Sequence, residues 1–120
     1  MNENMTSLLT GGIPAAIGAI LGYLFGPWDA VIMVLLCVVS LDYITGVIGA
    51  AVRKCMDSSV GFAGLFKKVF IFVLVALAAL LDKLVPSTNG AVRTAVCMFY
   101  IANEGLSILE NAGKIGLPIP

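Results

Sequence analysis

The chain has 120 residues, 60% of them hydrophobic and 12% charged, with a mean hydropathy of +1.06. Soluble domains run near half apolar and a quarter charged, so this is the composition of an integral membrane protein. Seven basic and seven acidic residues cancel, which argues against nucleic acid or a broadly acidic partner, and the absence of histidine argues against a transition-metal or Cys/His catalytic centre.

Cutting the apolar runs at Gly/Pro/Asp clusters and charge pairs predicts an all-α bundle of three to four membrane-spanning helices in one domain, each span close to the roughly 20 residues needed to cross hydrocarbon. The first covers residues 8–25 and ends at Gly26-Pro27-Trp28-Asp29, where proline stops the helix and tryptophan suits the interface. No Lys or Arg precedes Arg53, so the first segment lacks the basic flank of a secretory signal and is expected to be retained. Gly18, Gly22 and Gly26 recur every fourth residue along it, a spacing that permits close helix packing, within the chain or between copies.

The second span covers 30–52 and stops at Arg53-Lys54. Asp42, Thr45, Gly46 and Gly49 fall on one of its faces at helical spacing, which must look at protein or water. A loop over 53–68 follows, with Arg53, Lys54, Lys67 and Lys68 against Asp57 alone. Short basic loops stay cytoplasmic, which places both chain ends inside if all four segments span. If the first does not, the N-terminus moves outside. Asp57-Ser58-Ser59 supplies helix-capping side chains, and the stretch to Lys68 suits an amphipathic segment on anionic lipid.

The third span covers 69–84, and Pro86-Ser87-Thr88-Asn89-Gly90 turns the chain. Asp82 and Arg93 flank this turn at similar depth, where an outer ion pair would neutralise both. The fourth span, 91–109, is the least apolar; Arg93, Cys97, Tyr100, Glu104, Ser107 and Asn111 repeat in steps of four and three along one face, and Asn103 is expected to join them in a polar pore or packing face. Cys37, Cys55 and Cys97 fit neither a disulfide framework nor metal-ligand spacing.

Asp42 and Glu104 each lie about 13 residues from the outer boundary, roughly 20 Å at 1.5 Å per residue. Neither has a Lys or Arg close by in sequence. Two carboxylates at one depth cannot comfortably both ionise without solvent or a cation, so either one is protonated in a structural pair or the level hydrates on assembly.

At these residues the chain resembles the phage lysis and toxin-secretion holin family of Gram-positive bacteria and their phages. The resemblance rests on Asp42-Tyr43-Ile44-Thr45-Gly46, on Gly61, Gly64 and Lys68, on the run from Phe99 through Asn103-Glu104 to Asn111, and on Gly116 with Pro118-Ile119-Pro120. It implies a protein without enzyme activity or cofactor that accumulates in the bacterial cytoplasmic membrane, forms homo-oligomers, and opens timed lesions. The lesions release a cell-wall hydrolase, the endolysin, or a toxin, coupled in function without required contact, and an antiholin is a possible partner. Asp42 and Glu104 would then be pore-face or structural residues. Family members often continue into a charged tail, so timing control by such a tail is not carried over. The competing readings are a small four-helix proton-coupled exporter, which would leave the membrane sealed, and an antiholin or accessory subunit.

Overall fold

A computed structural model describes residues 2–119; Met1, and Pro120 of the terminal proline run, lie outside the described residues. Four long helices account for most of the chain, with no strand among the described residues. Helix α1 spans Glu3–Phe25 and contains a π-helical turn at Leu8–Gly12. The Asn2 side chain accepts from the Met5 N–H at 2.7 Å, satisfying one orphan donor of its first turn. At the other end Gly26 adopts φ +75°, a left-handed turn that glycine takes without penalty, and Pro27 blocks continuation.

Helix α2 spans Ala30–Val52 and begins under a cap from Asp29, whose Oδ1 accepts from the Ile32 N–H at 3.2 Å. Helix α3 spans Ser58–Leu84 and is longer than the run over 69–84 suggested. Asp57 Oδ1 accepts from both the N–H and the hydroxyl of Ser59, at 2.9 and 2.7 Å. That cap starts the helix at Ser58, so Lys67 and Lys68 belong to a helix and not to a basic loop. The turn after α3 uses a 3₁₀ segment at Pro86–Thr88, then Asn89 and Gly90 at φ 50° and 79°. Helix α4 spans Ala91–Lys114, past the expected end at 109.

Helices α2 and α4 run parallel and pack along their lengths, while α3 runs antiparallel to both and lies mainly on α4. Asp29 meets Arg93 at one end of the α2/α4 pair, and a Cβ at Gly49 would touch Ile115 at the other. The core of Ile32, Leu35, Val39, Ile71, Val75 and Cys97 sits in the half nearest Asp29. Outward positions such as Met33, Val34, Leu41 and Ile48 are exposed, as a lipid-facing surface requires. In lipid, apolar contact gives little net drive for helices to associate, so close packing and interhelical polar bonds must hold this bundle together.

Helices α1, α2 and α3 are long and apolar enough to cross a membrane by length and composition. Helix α4, interrupted by Arg93, Asn103, Glu104 and Glu110, is not among them. Helix α1 stands apart from the bundle: residues 2–21 are exposed throughout.

Candidate functional site

Three helices each send one ionisable side chain to a single buried point. Lys68 of α3 places its Nζ 2.6 Å from Asp42 Oδ2 of α2 and 2.6 Å from Glu104 Oε2 of α4. Asp42 and Glu104 are only 6% exposed. An ammonium donating to two carboxylates makes the strong, charge-assisted form of hydrogen bond, and its attraction to each acid is strengthened away from water while the two acids repel one another. The cation that the sequence shows near neither acid is supplied by the fold. The single Lys68 ammonium balances one of the two carboxylate charges, so it joins, and does not replace, whatever proton or water the second acid requires.

Asn111, two turns along α4 from Glu104, completes the site. Its Nδ2 donates to Asp42 Oδ1 at 3.0 Å, to the Asp42 carbonyl at 3.2 Å and to Thr45 Oγ1 at 3.0 Å. The Thr45 hydroxyl in turn donates to the Asp42 carbonyl at 3.1 Å. Gly46 lies opposite Asn111, where a Cβ would come to 3.7 Å of Nδ2. Small residues here let the two helices approach at ordinary contact distance. Tyr100 packs against the core above this level, and Ser107 is half-buried between Glu104 and Asn111 on the same helix. Asn103 is exposed on another flank of α4 and does not join the cluster.

A second ionic knot lies at the Asp29 end. The expected side-chain pair between Asp82 and Arg93 does not form. The Arg93 guanidinium turns instead to the α1/α2 link, donating to the Phe25 carbonyl at 2.5 Å, the Pro27 carbonyl at 2.7 Å and both Asp29 oxygens at 3.0 and 3.2 Å. Its hydrogen bonds to Asp29 hold that carboxyl below the usual carboxylate value, against partial desolvation and with help from the Ile32 N–H. Asp82 serves α4 in another way: its carboxylate accepts from the backbone N–H groups of Val92 and Arg93, at 3.1 and 2.8 Å, and from the Thr88 hydroxyl at 2.6 Å. It caps a helix whose own N-terminal residue, Gly90, has no side chain to do so.

Of the glycine row of α1, Gly18 and Gly22 meet no neighbouring helix among the described residues. No atom lies within 4 Å of a Cβ built at Gly18 or Gly22, and Gly26 is a helix terminus whose Cβ would crowd Arg93 Nε at 3.2 Å. Arg53, Lys54 and Lys67 are exposed. Among the described residues no group of His, Cys, Asp and Glu could hold a metal.

Sequence reasoning missed Lys68 and Asp29 as partners. Two signals were available: the Asp57 cap that starts α3 early, and the helical repeat of Lys68, Ile71, Val75, Ala78 and Asp82, which sets Lys68 on the buried face of α3.

A polytopic helical membrane protein with a three-helix ionic clasp is the class that this fold and site define. The chain belongs to the bacteriophage holin family, whose model matches residues 19–120. It is 39% identical over 112 residues to an uncharacterized protein of Clostridium acetobutylicum, covering 93% of this chain and 90% of that one. It is 40% identical over 118 residues to the 14.9 kDa protein of the nagH 3′ region of Clostridium perfringens, covering 98% and 89%. A protein of Bacillus phage phi105 named "Probable holin" is 40% identical over 98 residues, 82% of this chain and 69% of that one. No solved structure matches the chain. Family membership points to a non-enzymatic membrane protein with a holin role.

Proposed function

We propose that this protein accumulates in the bacterial cytoplasmic membrane, assembles with further copies of itself, and opens lesions that release a cell-wall hydrolase or a toxin without needing to bind it. The observation that carries the reading is the Asp42–Lys68–Glu104 clasp, closed within one chain and buried among three helices. Ionisable groups inside a membrane segment are costly facing lipid and characteristically turn toward a protein interior or a water-filled path. In the single chain the clasp hides them. In an assembly the same polar faces of α2 and α4, with Thr45, Ser107 and Asn111, can exchange their internal partners for a hydrated lumen shared by several copies. An antiholin, if one accompanies the chain, would act by competing for these contacts.

The test is inducible expression in bacteria, with and without a co-expressed cell-wall hydrolase, following membrane potential and culture density. Wild-type protein is expected to depolarise the cells abruptly and to cause lysis only with the hydrolase. Asp42→Leu and Glu104→Leu are each expected to delay or abolish that onset. If both variants act on the wild-type schedule, the clasp has no part in the mechanism; if the wild type raises drug tolerance with the potential intact, the protein is an exporter instead.

A further inference from the structure

We propose that α1 of one copy docks along the groove between α3 and α4 of the next. This deepens the assembly proposed above and rests on that reading, but assigns it a specific, directional interface.

Among the described residues the body of α1 has no partner in its own chain: residues 2–21 are exposed, and Gly18 and Gly22 face open space. Only its end is held. Lys83 Nζ donates to the Tyr23 carbonyl at 2.7 Å and lies 3.9 Å from the centre of the Tyr23 ring, while Arg93 Nε donates to the Phe25 carbonyl. The helix is therefore fixed at one point and leaves the bundle from there.

The groove is equally unfilled. Near the Asp29 end it forms an apolar cavity of about 370 Å³ lined by Leu74, Leu77 and Leu81 of α3 and by Val92, Val96 and Phe99 of α4. Carried on at helical spacing, the α4 stripe continues through Asn103, Glu110 and Lys114, and the α3 stripe through Phe70 to Lys67. All four polar residues are exposed. Asn103 facing hydrocarbon would be costly, and Glu110, Lys114 and Lys67 continue the polar stripe toward the cytoplasmic end, so this half of the groove calls for a polar partner.

Helix α1 has the matching profile. Its first half carries Glu3, Asn4, Thr6, Ser7 and Thr10, and its second half is apolar with Gly18 and Gly22. Distances along the helices agree when counted at 1.5 Å per residue from the shared end, where Phe25, Lys83 and Arg93 meet. Gly18 lies about 10 Å along, level with Leu77 and Phe99; Thr10 and Lys67 both lie about 23 Å along; Glu3 and Lys114 lie about 32 Å along. With α1 laid upright along the neighbouring copy's groove these distances match, pairing the Glu3 carboxylate with the Lys114 ammonium and the glycines with the apolar cavity. The donor helix and the acceptor groove are different surfaces, which makes the contact head-to-tail. Such contacts close into rings or extend as arrays, with no dimer end point.

The test is disulfide trapping in membranes of the full chain, in a background with the exposed Cys37 and Cys55 replaced by alanine and serine and the buried Cys97 kept. Two differently tagged chains, one Ala15→Cys and one Leu74→Cys, are co-expressed and oxidised. A disulfide heterodimer is expected, with none when Ile48→Cys on the lipid-facing side of α2 replaces Leu74→Cys. Gly18→Leu with Gly22→Leu is expected to remove the heterodimer. Glu3→Lys is expected to reduce it about threefold, the scale of one exposed ion pair, and adding Lys114→Glu in the partner to restore it. No heterodimer overturns the proposal, as does an internal disulfide in a doubly substituted single chain, which would put α1 in its own groove. Trapping is read without any lesion forming, so it fails separately from the proposed function.

Discussion

Lys68 ties three helices together, because it is the cation serving two carboxylates buried among them. Replacing a single partner of a buried ion pair leaves an uncompensated charge and costs about 3–5 kcal/mol, whereas replacing the whole set by apolar groups is often neutral or stabilising. Lys68→Met alone is thus expected to lower the thermal midpoint of the detergent-purified protein sharply. The combined Asp42→Leu, Lys68→Met, Glu104→Leu chain should melt at or above the wild type. A triple variant less stable than Lys68→Met would mean that the clasp does not act as one unit. The two acids were legible from sequence as residues that need explaining, since they interrupt apolar runs. Their partner was not, because Lys68 lies 26 and 36 positions away and sits beside Lys67, which is exposed. Two adjacent lysines read as a basic flank until the helix turns one of them inward.

At the level of whole helices, the boundaries follow local chemistry closely where a cap is present. Asp29 and Asp57 start α2 and α3 through side-chain bonds to nearby N–H groups, and such caps are visible in the sequence itself. Helix α4 is different, since its N-terminal N–H groups are satisfied by Asp82 from the preceding helix across the turn. Losing a capping carboxylate costs about 0.5–2 kcal/mol. Asp82→Ala should therefore destabilise the protein by that amount in a detergent melt, while Asp82→Asn, which keeps one acceptor, should cost less. Equal losses would assign Asp82 a charge role in place of a capping one. The sequence predicts an ion pair between Asp82 and Arg93, but in the fold the carboxylate meets the backbone of Arg93 while the guanidinium secures the α1/α2 link.

For the molecule as a whole, the positive-inside bias of Arg53, Lys54, Lys67 and Lys114 is expected to set both chain ends and the turn before α3 in the cytoplasm. A fluorescent protein fused after residue 119 should then be bright, and alkaline phosphatase inserted at Asn89 should be active. The reverse pattern would invert the topology. Composition and hydrophobic run length were enough to establish a helical membrane protein, because the bilayer demands long apolar helices and little else. Spacing was enough to place Asp42 with Thr45, and Glu104 with Asn111, on polar faces, because helical periodicity is local. Which charges meet was decided only in the tertiary structure. Pairing between helices depends on register and on side chains distant in sequence, and these set Lys68 between two acids, sent Arg93 to Asp29, and left residues 2–21 of α1 exposed while its end is held by Lys83 and Arg93.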